Sequence, residues 1–222
     1  MLTIDFDRFR VDGTSTVLDV GCGTGRHTRE AHRRGARAIA LDLDEVALKG
    51  IEDCSVALRA DGTRLPLPDD SVTHVILSEV LEHVPGHHAM VAEAARVLAP
   101  GGRLAVSVPR RYPEQICWAL SKAYHQVDGG HIRIYRRREL ERLLTDAGLE
   151  VESSHLTHGL HTPYWWLKCL VGVDRETRLV RRFHDLLVHE IMTGPWPNPA
   201  IAALLDRIAG KSLVLYARRP VR

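Results

Sequence analysis

Lysine is nearly missing from this chain of 222 residues: only 4 of its 30 basic residues are Lys, and 26 are Arg. Two readings stay open. GC-rich bacterial codon usage writes Arg in place of Lys, and a phosphate-reading surface favours Arg for its planar fork. The net charge of +2 is too small by itself to imply nucleic acid, and DNA is not expected as a partner. Aromatic residues are scarce at 5%, yet 45% of the chain is hydrophobic, enough to bury a sizeable core and to exclude a disordered chain. No apolar run reaches the ~18 residues of a membrane span, so an integral membrane protein is not expected. The opening MLTIDFDRFR lacks an apolar core behind a basic start. No signal peptide is therefore expected, and the location is expected to be cytoplasmic. Cys22, Cys54, Cys117 and Cys169 form no C-x-x-C pair, which argues against a zinc site or a disulfide framework. Lone thiols suit a reducing compartment.

What is present is alternation. Residues 17–20, 38–41, 56–60, 72–77 and 103–108 read as short strands. Helix-forming stretches over 26–34, 44–50 and 89–98 lie among them, and Pro100-Gly101-Gly102 reads as a break before the fifth strand. Such alternation predicts right-handed βαβ units and a mostly parallel α/β sheet with both faces covered. Beyond Pro109 the pattern predicts helices over 116–124 and 138–147, a sixth strand over 149–156 and a last strand over 213–217. No repeat or linker appears. Residues 1–222 are therefore expected to form one domain: a core over 14–156, a helical and aromatic cap over 161–209, and a last strand over 211–218.

The strongest local signal is Val17-Leu18-Asp19-Val20-Gly21-Cys22-Gly23-Thr24-Gly25. A strand runs into three alternate glycines and then a helix, so a ligand can lie against bare main chain at a helix N-terminus. The dinucleotide fingerprint is G-x-G-x-x-G and serves a pyrophosphate. Here the spacing is G-x-G-x-G, and Asp19 stands two residues ahead of it. That acid repels a pyrophosphate and welcomes a cationic amine, which argues against a nicotinamide coenzyme. Asp42 ends the second strand, placed to accept from ribose hydroxyls. Asp61 ends the third, placed to accept from an adenine amino group. Each alone is an ordinary turn or cap residue. Three acids at successive strand ends, the edge where open α/β sheets bind ligands, point to a ligand instead.

These residues resemble the class I S-adenosylmethionine (SAM) dependent methyltransferases, specifically the type 11 and ubiquinone-pathway O-methyltransferase group. The resemblance covers about residues 14–156 and rests on VLDVGCGTG, ALDLD, RADGTRLPLPDDSVTHVILSEVLEHV and RVLAPGGRLAVSVP in the family order. It implies a Rossmann-like sheet of seven strands, mostly parallel with an antiparallel last strand. It implies that Asp19 binds the methionine amine and that Gly21, Gly23 and Gly25 underlie the ligand. Asp42 would hold the ribose, Leu43 would pack on adenine, Asp61 with Gly62 would reach the adenine edge, and Glu79 would lie near the donor.

A hydroxyl acceptor needs a base or a metal, because its pKa is high. In Ser78-Glu79-Val80-Leu81-Glu82-His83, Glu79, Glu82 and His83 fall at i, i+3 and i+4, on one face if the chain turns helically. With His131 as a fourth ligand they could hold Mg²⁺ or Mn²⁺. The E-x-x-E-H pattern also resembles metal-assisted methyltransferases of the ubiquinone pathway and of small-RNA 3′ ends. Three readings stay open: a metal, a metal-free histidine base, and a structural role. The stretch from Tyr124 through Asp128-Gly129-Gly130-His131 to Tyr135 resembles one that closes over the acceptor in ubiquinone-type enzymes, making His125 and His131 further catalytic candidates beside His83. Arg133, Arg136, Arg137 and Arg138 form a basic cluster, read as a solvated helix entrance or as a site for a phosphate-bearing molecule. Trp165 and Trp166 fall in the expected cap, as does Trp196 in its proline-rich loop. They read as core packing, an aromatic acceptor pocket, a peripheral membrane contact or a dimer surface, so monomer and homodimer both stay open. The expected function is SAM-dependent methylation of a hydroxyl on a small, lipid-like or glycosylated metabolite. An RNA 2′-O-methyltransferase and a small-molecule N- or C-methyltransferase are the alternatives. A non-enzymatic SAM-binding protein fits less well.

Overall fold

The computed structural model describes residues 2–51, 56–126, 130–193 and 198–221. Cys54, Asp128, Gly129 and the 194–197 loop with Trp196 lie outside the described residues. The elements run α1 (Phe6–Phe9), β1 (Thr16–Val20), α2 (Arg26–Arg33), β2 (Arg37–Asp42), α3 (Glu45–Lys49), β3 (Val56–Arg59), β4 (Val72–Ser78), α4 (His87–Val97) and β5 (Leu98–Pro109). They continue through α5 (Arg111–Leu120), α6 (Lys122–His125), α7 (Arg137–Asp146), β6 (Glu150–Thr157), α8 (His161–Val171), α9 (Arg178–Thr193), α10 (Pro199–Ala209) and β7 (Ser212–Arg218).

One seven-stranded sheet has the order β3-β2-β1-β4-β5-β7-β6. The pairs among β1 to β5 are parallel, and β7 runs antiparallel to both β5 and β6. Strand periodicity sends alternate residues to opposite faces. Leu18, Val75, Leu77, Leu104, Val106 and Leu215 meet α4 and α7 on one side. Val17, Ile76, Ala105, Val214 and Tyr216 meet Phe6, Phe9 and Ala31 on the other. Because β6 runs parallel to β5, its C-terminal end and the start of β7 reach the same edge as the ends of β1, β2 and β4. That topology assembles the candidate site.

The helix ahead of Pro100-Gly101-Gly102 ends at Val97, as expected, but the fifth strand starts at Leu98 rather than after the glycines. Leu98 pairs with Val72 and Arg103 with His74, so the segment bulges from a strand that continues through it. The helix expected over 116–124 starts earlier and divides into α5 and α6, separated at the extended Ser121. The insertion folds as α8, α9 and α10 between β6 and β7. No helix among the described residues is long and apolar enough to cross a membrane.

Candidate active site

The glycine loop is held from both sides. Gly21 and Cys22 N–H donate to the Leu41 carbonyl, and Gly23 N–H donates to Asp42 Oδ2 at 2.8 Å. Asp42 Oδ1 accepts from Asp44 N–H, so one carboxylate ties the end of β2 to the loop after β1. Gly21, Gly23 and Gly25 all have positive φ. A Cβ at Gly21 would collide with Val80, and one at Gly25 with Ile51, whereas one at Gly23 would meet nothing within 4 Å. The outer glycines are required for packing, and Gly23 faces open space.

Asp19 is only 2% exposed. Its Oδ2 accepts from Thr28 N–H at 3.1 Å and from Thr28 Oγ1 at 2.7 Å. Thr28 is the third residue of α2, whose N-cap, Gly25, has no side chain to offer. Asp19 therefore does a capping residue's work from the neighbouring strand, at the positive end of the helix dipole. Burial nonetheless pushes its pKa up to about 6. Asp61 is exposed at the end of the third strand's loop, where Oδ1 accepts from Thr63 N–H and Oγ1. Gly62 is buried against Met90 and Val20, which leaves no room for a Cβ. Leu43 stands 64% exposed on the rim beside Asp42.

The E-x-x-E-H segment is not helical. Glu79 takes a left-handed conformation (φ 56°), and residues 81–83 form a turn. His158, at the end of β6, is left-handed too (φ 66°), so two strained residues stand on this edge. The bend separates the four expected metal ligands. Glu79 turns to Ser107, whose Oγ donates to Glu79 Oε1 at 2.8 Å. Glu82, His83 and His131 come together, each offering a ligand atom within 4.8 Å of the others. Glu82 is fully buried, and neither of its carboxylate oxygens has a hydrogen-bond partner. Burial, then the charge of Glu79, raises its pKa well above the ordinary carboxylate value.

The two imidazoles are oriented from behind. His83 Nδ1 lies 3.3 Å from the Gly130 carbonyl, and His131 Nδ1 lies 2.5 Å from Glu114 Oε1. Glu114 is 1% exposed and also accepts from Trp118 Nε1 and the Tyr124 hydroxyl. Its burial alone would raise its pKa, but the hydrogen bond and charge of His131 more than offset this and hold it below the ordinary value. Each histidine is thus left with Nε2 for other chemistry.

A methyltransferase-domain family model matches residues 7–154. The chain belongs to this family. The chain is 30% identical, over 67% of its length and 59% of the relative's, to the 27-O-demethylrifamycin SV methyltransferase of Amycolatopsis mediterranei. It is 28% identical, over 74% of its length and 77% of the relative's, to the ubiquinone biosynthesis O-methyltransferase of Leptothrix cholodnii. A crystal structure of a SAM-dependent methyltransferase from Methanosarcina mazei superposes with a TM-score of 0.66 at 16% identity, covering 100% of both chains. The chain spans less than two thirds of the length of several curated relatives it matches.

Of the three expected catalytic histidines, the fold brings two together. His125 falls outside the cluster: its Nδ1 faces the Ser121 carbonyl, and its ring stacks on Trp118. Several residues around this cluster were not expected. Glu114 is one, and its signal was a lone acid in the mostly apolar stretch after Pro113. Lys211, just ahead of β7, lies 4.9 Å from the Trp165 ring and is close enough to bias the ionisation of Glu82, Glu114, His158 and His161. His158 Nε2, His161 Nε2 and Thr162 Oγ1 are buried without hydrogen-bond partners. Burial holds His158 at about 3 and His161 at about 4, so both are neutral at physiological pH.

Proposed function

We propose that the methyltransferase domain transfers a methyl group from SAM to a hydroxyl of a small, lipid-like or glycosylated metabolite, with His131 as the base. The observation that carries this reading is the buried Glu114–His131 pair. A carboxylate on Nδ1 fixes the tautomer and orientation of the ring and leaves Nε2 for the acceptor. The bound donor supplies an electrophilic methyl on a sulfonium. The acceptor oxygen forms the new C–O bond as the S–CH₃ bond breaks, its proton passes to His131 Nε2, and S-adenosylhomocysteine leaves. Asp19, the Gly23 backbone, Asp42, Leu43 and Asp61 with Gly62 are the proposed donor contacts, and Glu79 the residue between donor and acceptor. The rifamycin and ubiquinone O-methyltransferases among the relatives support a small-molecule acceptor.

A divalent cation is a second reading, favoured by the unpartnered Glu82 carboxylate. Glu82, His83 and His131 would hold it. Their backing partners, the Gly130 carbonyl and Glu114, are of the kind that orient metal-bound imidazoles. A set with two nitrogens suits Mn²⁺ better than Mg²⁺. A bound cation would lower the pKa of the acceptor hydroxyl. S-adenosylhomocysteine formation with a panel of hydroxylated acceptors tests both readings. His131→Ala is expected to lower kcat by about 100-fold or more. Activity that survives chelation and Glu82→Gln unchanged removes the cation and leaves the base; full activity in His131→Ala removes both.

A further inference from the structure

A second concavity lies on the outer side of α5, away from the Glu114 face that backs His131. It has a volume of about 1350 Å³ and is bounded by α1, the start of α5, the end of β6, the start of β7, α10 and the entrance to α7. Six arginines line it: Arg8, Arg110, Arg111, Arg136, Arg137 and Arg207. Among the described residues Asp206 is the one acid in the lining, and its Oδ1 accepts from Gly159 N–H at 2.7 Å.

Three of the arginines are partly neutralised at the rim. Arg137 pairs with Glu141 at 2.7 Å, Arg8 with Asp5 at 3.2 Å and Arg136 with Glu139 at 3.6 Å. Among the described residues, Arg110, Arg111 and Arg207 form no ion pair. Arg110 donates to the Ile208 carbonyl and Arg111 to the Gln115 side chain. The cavity therefore carries a surplus of positive charge, all of it guanidinium, the group whose fork matches phosphate oxygens. The rest of the lining is mixed, with Gln115, Ser154 and His155 beside a larger apolar part. Tyr112 and Leu204 line it while 63% and 55% exposed, with Leu156 and Leu213 at its floor. Apolar surface left open beside unpaired guanidinium groups asks for an occupant with both characters.

We propose that this groove binds one amphiphilic molecule, its phosphate or diphosphate on Arg110, Arg111 and Arg207 and its apolar body along Tyr112, Leu156 and Leu204. The chemistry of the lining separates this occupant from two others. A nucleic acid would not need the apolar walls, and a membrane surface would not need the concavity. The basic cluster at the α7 entrance divides accordingly. Arg136 and Arg137 face the groove, whereas Arg133 turns to the 81–85 segment and donates to the Leu81, Val84 and Pro85 carbonyls. The site stands independently of the methyl-transfer reading, because none of its lining residues belongs to the proposed donor or acceptor contacts.

Dodecyl phosphate, kept below its micellar concentration, is titrated calorimetrically into the full chain, with dodecyltrimethylammonium as the charge control. One saturable site is expected for the phosphate and none for the ammonium. Arg111→Gln/Arg207→Gln is expected to weaken the phosphate at least about tenfold. Arg138→Gln, outside the groove, should leave it unchanged, and inorganic pyrophosphate should displace it. S-adenosylhomocysteine binding measured on each variant reports folding and separates failure of this site from failure of the methyl-transfer reading. If the double variant is unstable, each single variant and the pyrophosphate displacement carry the test. Equal affinity in variant and parent, equal binding of the ammonium, or binding only to phosphatidylglycerol vesicles would overturn the proposal.

Discussion

Acidification from pH 7 to pH 5 should weaken donor binding by the methyltransferase domain about tenfold, through Asp19. Its carboxylate is almost fully buried, and burial lifts its pKa to about 6 despite two hydrogen bonds from Thr28. In the donor-binding role proposed for Asp19, only the ionised carboxylate would attract the cationic amine of the donor. With a pKa near 6, about nine-tenths of the chains carry that charge at pH 7 and about one-tenth at pH 5, which sets the factor. Stability of the ligand-free chain should move the other way. The folded pKa lies above the unfolded one, so the native state holds this proton more tightly. The resulting stability is fully present below about pH 4 and is lost as pH rises through about 6. Asp19→Asn retains an acceptor for Thr28 and should flatten both trends. The assay is calorimetric titration with S-adenosylhomocysteine from pH 5 to 7, with thermal unfolding of parent and variant over pH 4 to 7. An affinity that stays flat in the parent, or a slope that persists in Asp19→Asn, refutes the reasoning.

The glycine loop offers a matched pair of variants. Gly25→Ala combines a positive φ with a collision against Ile51 and should cost roughly 3 kcal/mol or more in urea unfolding. Gly23→Ala has open space, so it should cost about 1 kcal/mol while reducing donor affinity; the reverse order of stabilities would show the loop has been misread. Arg133→Met removes the donors that clamp the Leu81, Val84 and Pro85 carbonyls around the turn that carries Glu82 and His83. A loss of about 2 kcal/mol is expected, with kcat falling more than donor affinity; equal losses in both would mean the clamp does not position the turn.

Much of the frame was legible in the chain itself. Short apolar runs alternating with helix formers marked all seven strands, because period-2 and period-3.6 patterns are local properties. VLDVGCGTG marked its own turn, since alternate glycines ahead of a helix leave few backbone options. The acids at the ends of β1 and β2, and the one just beyond β3, could be placed from strand length alone. The misreadings have equally specific causes. E-x-x-E-H looked like one helical face, but a left-handed Glu79 turns the segment and takes Glu79 out of the cluster, leaving Glu82 and His83 with the expected His131. The fifth strand looked as if it began after Pro100-Gly101-Gly102, but pairing of β5 on both sides carries the strand through a bulge. His125 looked equivalent to His131, yet it lies at the end of α6 against Trp118.

Taken alone, the amino-acid order determined where strands, turns and the glycine loop lie, because each depends on a few adjacent residues and their backbone preferences. Only the tertiary structure decided which acids and imidazoles share an environment. Glu114 meets His131 across 17 positions, and His83 meets the Gly130 carbonyl across 47. Lys211 reaches Glu82 because β7 runs backwards between β5 and β6. The arginine groove likewise exists only where six elements distant in the chain converge. Burial and unpaired charge arise from such convergence, and no local pattern encodes them.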